Sequence, residues 1–325
     1  MLHLKPILTA ALLAVSFGCF AQTQLQMPRN IQQAYEKGTR SADGTPGQSY
    51  WQNSADYDIK LNFNPATRLL SGTVHIEYSN QSPDTLKQIW FKLYPNFYKK
   101  GVARARNINP SDVTDGVQIQ QLAVNGQAED LTKLRIDGTT LPLNIKPLAP
   151  KSKASIAITY SYTLNEGSHN RTGQVDEGSH FIAYFFPRVA VYDDIDGWSR
   201  FAYNGSQEFY NDFGNYKFEV TVPKNFVVWA TGDLTNAKEV LQKKYVKRLE
   251  QAEKKDAIIT IIDSTDLVRK DITAQNTTNT WKYEAKNVVD FAFATSDRYM
   301  WKSTSLVVDP KTKRRTRVDA AFLPK

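Results

Sequence analysis

Few side chains in this sequence have the types and spacing that catalysis requires. The chain has four histidines, at positions 3, 75, 169 and 180, and a single cysteine, Cys19. A helix with His-Glu-x-x-His supplies two zinc-binding imidazoles on one face and a glutamate as general base. That motif is absent from the 325 residues, and no histidine lies four positions from another. The chain itself is therefore predicted to carry no catalytic residue and no zinc site.

A short repeat is the one unusual arrangement of histidines. Glu166-Gly-Ser-His169 recurs eleven residues later as Glu177-Gly-Ser-His180. In a glycine-rich loop or hairpin, two imidazoles and a carboxylate could meet and bind an adventitious divalent metal ion. Two polar loop segments of similar composition explain the same pattern without a metal, since a third fixed ligand is missing.

The acidic run Asp193-Asp-Ile-Asp196, just before Gly197-Trp198, also has two interpretations. Three carboxylates in four residues could bind calcium, but their spacing differs from the twelve-residue loop that closes with a glutamate. For this reason a solvated or helix-capping turn is the favoured interpretation of the run.

A formal net charge of +8 raises the question of nucleic-acid binding. The basic residues are scattered, and the two local clusters, at 104–106 and 311–317, have no interleaved aromatic residues for base stacking. The second cluster follows the turn signal Asp309-Pro310, so it is predicted to be a charged hairpin tip. We expect no nucleic-acid partner.

The amino terminus has the pattern of an export signal. An apolar run at residues 7–17 is too short to span a bilayer but has the length of a signal-peptide core. Small residues at Cys19 and Ala21 predict cleavage after Ala21, giving residues 1–21 as the signal peptide. The alternative is a lipoprotein modified at Cys19, although the bulky Phe17 departs from the lipidation motif. A periplasmic or secreted bacterial protein is predicted, with no transmembrane segment in the mature chain.

The mature chain has no cysteine beyond that potential anchor. Disulfides and cysteine-based metal or nucleophile chemistry are therefore excluded from the folded part. Residues 22–50, which contain three glycines and few apolar residues, are predicted to be a leader arm, laid over the fold or loosely ordered.

Most of the remaining chain has the periodicity of β-strands. In residues 56–63, apolar and polar side chains alternate, and residues 72–78 repeat the pattern with His75 on the polar face. Asn125-Gly126 is typical of a tight hairpin. Further predicted strands are 89–93, 117–119, 156–162, 216–222, 226–230, 258–262, 288–294, 305–308 and 317–322.

Many short strands joined by hairpins predict an all-β fold, either a sandwich or twisted open sheets of antiparallel strands. One peripheral helix is predicted at residues 238–249, with Leu241, Tyr245 and Leu249 on the face that packs on a sheet. Since no linker rich in Pro, Gly or Ser divides residues 51–325, this region is predicted to be one domain.

Two segments of the chain carry a family resemblance. Phe185-Phe-Pro-Arg-Val-Ala-Val-Tyr-Asp-Asp-Ile-Asp-Gly-Trp198 and Tyr203-Asn-Gly-Ser-Gln-Glu-Phe-Tyr-Asn-Asp-Phe-Gly-Asn-Tyr-Lys-Phe-Glu-Val-Thr-Val-Pro223 resemble part of the amino-terminal β-domain of aminopeptidase N-like zinc metallopeptidases, the gluzincin aminopeptidases. Shorter stretches are also similar to that family, in its order along the chain: residues 50–53, Leu93-Tyr-Pro-Asn-Phe97, residues 229–234 and residues 285–296.

The resemblance implies a saddle-like twisted β-sandwich that packs against a thermolysin-like catalytic domain and closes one wall of the substrate cleft. The family's Gly-x-Met-Glu strand and His-Glu-x-x-His helix come after this domain, so zinc is expected in a catalytic domain that this chain lacks. The chain is therefore expected to be truncated at its carboxyl end, at Lys325. The family also takes one amine-contacting Gln or Glu from the β-domain shortly before the Phe185 segment, and Glu177 is nearest to that position.

Two hypotheses about function follow. In the first, the chain is the amino-terminal part of an exported zinc aminopeptidase that removes N-terminal residues from peptides, and it is inactive alone. In the second, it is a stand-alone secreted β-domain that acts as a binding or assembly module. The reading frame beyond Lys325 distinguishes the two.

Overall fold

The computed structural model describes residues 26–324. The predicted signal peptide, including Cys19, and residues 22–25 of the predicted leader arm lie outside the described residues. The chain forms two compact units. Of the described residues, the first contains 26–50 together with Asp194–Asp196, and the second contains Trp51–Asp193 and 197–324.

The described part of the first unit contains the helix α1 (Arg29–Glu36), followed by a β-bridge between Arg40 and Pro46. In this unit the carboxylate of Asp194 accepts two hydrogen bonds from the Arg40 guanidinium, at 2.6 and 2.9 Å, and one from the Thr39 hydroxyl at 2.6 Å. Although burial of Asp194 opposes ionisation, these donors lower the pKa of its carboxyl.

The second unit consists mainly of strands, as the alternating sequence pattern predicts. They are β1 (Ser54–Asn64), β2 (Leu69–Ser79), β3 (Leu86–Lys92), β4 (Gln118–Val124), β5 (Gln127–Ala128), β6 (Thr140–Leu148), β7 (Lys153–Thr163), β8 (Gly173–Asp176), β9 (Ser179–Ala183), β10 (Arg188–Val189), β11 (Tyr192–Asp193), β12 (Gly197–Trp198), β13 (Gly214–Pro223), β14 (Val227–Ala230), β15 (Asp233–Leu234), β16 (Ile259–Ile262), β17 (Thr278–Val288), β18 (Ala292–Ser296), β19 (Met300–Asp309) and β20 (Arg314–Phe322).

An eight-stranded sheet, in the order β15-β17-β13-β1-β2-β7-β4-β5, forms one layer of the sandwich. Its strands pair antiparallel, except that β1 and β13 are parallel. Facing it are a three-stranded sheet, β10-β3-β6, and a four-stranded sheet, β14-β18-β9-β8. A further three-stranded sheet is ordered β16-β19-β20. The predicted all-β sandwich class is confirmed.

The core lies between these layers. Tyr57, Ile59, Leu61 and Phe63 of β1 are buried, as the alternation of apolar and polar residues in that strand predicts, whereas His75 on β2 is exposed. Parallel pairing places Tyr57 opposite Tyr216 of β13, and the two rings stack at 4.9 Å. Because inward-facing side chains from both layers belong to one buried cluster, the hydrophobic effect holds the sheets together.

Two predicted elements differ from the structure. The predicted strand 288–294 is interrupted, since β17 ends at Val288 in the large sheet and β18 starts at Ala292 in the four-stranded sheet. The predicted helix 238–249 is interrupted as well. It consists of α2 (Ala237–Val240) and α3 (Lys243–Ala252), because Leu241 is extended and bridges to Thr273.

The face predicted for that helix is nevertheless buried, since Leu241, Tyr245 and Leu249 are 4% exposed or less. The prediction of a single helix is too low, since α1, within the predicted leader arm, and α4 (Ser264–Arg269) were not predicted from the sequence. None of the described helices has the length and apolar character needed to cross a bilayer.

The hairpin predictions are confirmed. Asn125 and Gly126 have φ of 51° and 77°, and the flanking Val124 and Gln127 pair across the turn. The basic cluster at 311–317 lies at the turn between β19 and β20 and extends into β20.

A buried carboxylate holds α3 and α4 together. Asp266 has a fully buried side chain that accepts hydrogen bonds from Lys244 at 2.6 Å, from Arg248 at 2.5 Å and from Arg269. Burial of Asp266 opposes its ionisation, but the donors from Lys244 and Arg248 outweigh it and lower the pKa of this carboxyl well below its usual range.

We predict that Asp266→Asn lowers the free energy of unfolding by about 3 kcal/mol at pH 7, because it replaces a buried carboxylate that accepts charge-assisted hydrogen bonds from three partly exposed cations. Because the pKa of Asp266 is lower in the folded than in the unfolded chain, its ionised carboxylate stabilises the fold at pH values above the unfolded pKa. The difference in stability between Asp266→Asn and the unmodified chain should therefore be lost as the pH falls below about 4. Urea unfolding at pH 7 measures it. The control, Asp256→Asn, removes an exposed partner of Arg315 and should cost less than about 1 kcal/mol. Equal losses for both variants would contradict the prediction.

Candidate functional site

The acidic run at 193–196 is a hairpin turn. Asp193 lies in β11, residues 194–196 form the turn and Gly197 starts β12. Asp193 accepts a hydrogen bond from the Tyr210 hydroxyl at 3.0 Å. Across residues 26–324, no group of three or more His, Cys, Asp and Glu side chains could hold a metal ion. The run thus forms a turn, as the favoured of the two interpretations requires for residues 194–196.

The two Glu-Gly-Ser-His segments have different surroundings. His180 lies on β9, is 3% exposed and meets the ring of Phe63 edge-to-face at 5.0 Å. Burial lowers the pKa of His180 to about 4. The His169 side chain is 54% exposed, and its Nε2 atom lies 3.2 Å from a carboxylate oxygen of Asp112. The metal hypothesis for this pair therefore lacks a ligand cluster in the described chain.

Glu177, the residue predicted to contact a substrate amine, occupies the turn between β8 and β9. Its side chain is 86% exposed, and Arg298 forms an ion pair with it at 3.3 Å. An exposed pair of this kind contributes little to stability. The carboxylate is thus accessible to a ligand, and its proposed role remains a prediction.

The Phe185 segment contains a buried cation, Arg188, which is 2% exposed. The Arg188 guanidinium forms an ion pair with Asp290 at 2.9 Å, and it donates to the backbone carbonyls of Asp212 and Val289. It also lies 5.9 Å from the ring centres of Tyr57 and Phe186. Such interactions compensate the desolvation of a buried cation.

The side chain of Asp212 lies near this arginine and accepts a hydrogen bond from Gln52 at 3.2 Å. Burial raises the pKa of Asp212 to about 6, although the Arg188 charge acts in the opposite direction. The folded protein therefore favours the neutral carboxyl over a range in which the unfolded chain is already ionised.

A second feature is an aromatic cluster formed by segments that resemble the family. Leu93-Tyr-Pro-Asn-Phe97 contributes two rings, the residue before Phe185 contributes one, and the Tyr203 segment contributes two more. Phe209 stacks on Tyr184 at 4.3 Å and on Tyr203 at 4.6 Å, and it meets Tyr94 edge-to-face at 4.7 Å. Segments far apart in the sequence therefore meet at one place.

An open cavity of about 210 Å³ adjoins this cluster. Its lining includes Lys92, Tyr94, Phe201, Tyr203, Glu208 and Tyr210. Lys92 is 4% exposed, and its ammonium donates to the Phe201 carbonyl at 2.7 Å. Burial lowers the pKa of Lys92 to about 8.

Lys92 and Glu208 were not predicted from the sequence as site residues. The signal was present for the lysine, because Lys92 falls between Phe91 and Leu93 in an otherwise apolar run. A lysine in such a run is buried only if the fold supplies a polar partner or a cavity.

No protein-family model matches the sequence. A search of curated proteins finds no match either. Solved structures with a similar fold include the M1 zinc metallopeptidase from Deinococcus radiodurans, at TM-score 0.47 and 12% identity over 86% of this chain. A variant of that enzyme bound to a Tyr-Ser-Ala substrate matches at TM-score 0.46 and 15% identity, also over 86% of this chain.

Aminopeptidase A from Legionella pneumophila, in complex with aspartic acid, matches at TM-score 0.45 and 10% identity, over 83% of this chain and 24% of its own. The chain spans about half the length of the Deinococcus structures it matches. These structures are thus zinc metallopeptidases of the M1 type and an aminopeptidase. At this distance the likeness concerns the fold alone.

We predict that Asp212→Asn stabilises the protein at pH 8 by about 2 kcal/mol, because the variant avoids burying a carboxylate. A carboxyl with a raised folded pKa contributes its full stability below the unfolded value, near pH 4, and loses it as the pH rises through about 6. The variant's advantage should thus vanish near pH 4. Urea unfolding at pH 4.5 and 8 tests this, with the exposed Asp115→Asn as control. A pH-independent difference would contradict it.

Proposed function

We propose that the chain is the amino-terminal, cleft-wall domain of an exported zinc metallo-aminopeptidase. The observation that carries the proposal is the convergence of the family-like segments. Tyr94 and Phe97 of the 93–97 segment meet Tyr203 and Phe209 of the 203–223 segment at one aromatic cluster beside an open cavity, and Tyr184, next to the Phe185 segment, completes the cluster. This cluster is separate from the main core between the layers, and the open cavity beside it is a place at which a peptide could lie.

The zinc ion of such an enzyme does not fit the described residues of this chain, since they offer no group of three or more ligands. We place the zinc in a separate catalytic domain with its own His-Glu-x-x-His helix. The β-domain would contribute a rigid wall and an acidic side chain for the amino group of the substrate.

Export is part of the proposal and rests on the sequence of residues 1–21. The predicted location is the periplasm or the medium, and lipidation at Cys19 is the alternative.

A surface on β19 and β20 supports a partner domain. Leu306, Val308, Val318 and Phe322 are between 38% and 51% exposed in these two paired strands. A row of exposed apolar side chains is typical of a surface that another protein unit covers. We propose that the catalytic domain packs on this ribbon.

The first test concerns activity and metal. The purified 325-residue chain should hydrolyse no aminoacyl anilide and should bind no stoichiometric zinc, because it lacks the ligand pair. When the chain is joined to the catalytic domain that its reading frame is proposed to encode, the joined protein should hydrolyse the anilide and bind one zinc ion. One tightly bound zinc in the isolated chain would contradict the proposal, as would a frame beyond codon 325 without Gly-x-Met-Glu and His-Glu-x-x-His.

The second test concerns Glu177 in that joined enzyme. If the carboxylate binds the substrate ammonium, Glu177→Gln should raise KM by about 10-fold to 100-fold, the value of a hydrogen bond to a charged group. Steady-state kinetics on an aminoacyl anilide measures it. Glu166→Gln, in the matching Glu-Gly-Ser-His segment, is the control and should leave KM unchanged. The same KM for the two variants would remove Glu177 from the site.

One observation favours the second function class, a binding module. The cavity next to the aromatic cluster contains a buried cation, and a ligand could occupy it without any catalytic domain.

A further inference from the structure

Two buried cations face each other across one strand pair. Lys92 at the end of β3 is directly opposite Arg188 of β10, and the two residues are 4% and 2% exposed. Directly opposite residues of an antiparallel pair project from the same face of the sheet. Both side chains therefore leave the strand pair on the same face, where the Arg188 guanidinium reaches Asp290 and the Lys92 ammonium reaches the carbonyl of Phe201.

Only one of these cations has a counter-ion among residues 26–324. Arg188 pairs with Asp290 at 2.9 Å, whereas the ammonium of Lys92 donates to a neutral carbonyl, that of Phe201. Burial alone accounts for the lowered pKa of Lys92, and no neighbouring carboxylate in the described chain raises it. Burying an ammonium without a negative partner costs several kcal/mol, so a purely structural role for this lysine is unfavourable.

The surroundings of Lys92 are those of a ligand site. The ammonium has three donors and uses one of them on Phe201, which leaves two for a bound group. Tyr94 and Tyr203 provide buried aromatic walls, and Phe201 at the rim is 76% exposed. A cavity of about 210 Å³ holds several water molecules or a small organic group.

We propose that this cavity binds the carboxylate group of a ligand with an aromatic or apolar body, with Lys92 as the counter-ion. One lysine supplies a single positive charge, which matches a carboxylate. Glu208 lines the same cavity and disfavours a multiply charged anion such as a phosphate. This inference does not depend on the peptidase proposal.

The protonation of Lys92 gives the site a pH dependence. The charged and titratable groups that surround it are Glu208, Tyr94, Tyr203 and Tyr210 on the cavity wall and Arg188 on the neighbouring strand. With a pKa of about 8, the ammonium that binds a carboxylate is mostly present at pH 7 and mostly lost at pH 9. The affinity for a carboxylate ligand should therefore fall about tenfold from pH 7 to pH 9.

The experiment uses the full chain and two matched pairs of probes. Calorimetric or NMR titration compares phenylacetate with phenylacetamide, and the peptide Ala-Ala-Phe with its carboxyl-terminal amide. We expect an acid to bind at least about tenfold more tightly than its amide, the value of one charge-assisted hydrogen bond. If phenylacetate alone binds, the ligand is a free small carboxylate, and if the peptide acid binds, it is a peptide carboxyl terminus. Either result supports the proposal.

Variants then assign the binding to Lys92. Lys92→Met keeps the length and removes the charge, and it should lower the affinity for the acid at least about tenfold. Lys87→Met, at an exposed position of the same strand, should change it by less than about twofold. If Lys92→Met does not fold, the acid–amide comparison and the pH profile of the unmodified chain still decide. The proposal is overturned if each acid binds no more tightly than its amide, or if neither phenylacetate nor Ala-Ala-Phe binds.

Discussion

The buried guanidinium of Arg188 connects parts of the second unit that are far apart in the sequence. From β10 it reaches the carboxylate of Asp290 and the carbonyl of Val289, both between β17 and β18, and the carbonyl of Asp212, just before β13. These are the places where the chain enters or leaves the large sheet. A planar group with five donors can hold several acceptors at fixed angles, which an ammonium cannot do. This side chain therefore adds a polar link between those places to the apolar core that holds the sheets together.

That role explains why the chain bends where it does. After Val288 the chain leaves the eight-stranded sheet, and by Ala292 it has joined the four-stranded one. Asp290 lies between the two strands and pairs with Arg188, while Phe291 is fully buried against Phe218 at 4.7 Å. A continuous strand would keep alternating across one sheet and could not bury these neighbours in this way. An ion pair of Asp290 and ring contacts of Phe291 with Phe218 and Tyr216 thus stabilise the crossover.

The sequence predicted most of the local structure but little of the site. Alternation placed Tyr57, Ile59, Leu61 and Phe63 in the core, and Asn125-Gly126 marked a turn, because both signals depend on neighbouring residues alone. The prediction of a continuous helix across Leu241 was wrong, because the structure there depends on a residue far away in the sequence. The backbone of Leu241 bridges to Thr273, in a distant part of the chain, and tertiary pairing overrode a favourable helical pattern. The raised pKa of Asp212 is also inaccessible from the sequence, since burial and distant neighbours produce it.

The contrast between Arg188 and Lys92 follows from the same physics. Both are cations in short apolar runs of neighbouring strands, so their sequence contexts are alike. The fold supplies a carboxylate and several carbonyls to the arginine, but a single carbonyl and an open cavity to the lysine. A satisfied buried charge fixes the architecture, whereas an unsatisfied one retains an unused capacity to bind. The structural and the ligand-binding parts of this domain thus lie side by side, across one pair of hydrogen-bonded strands.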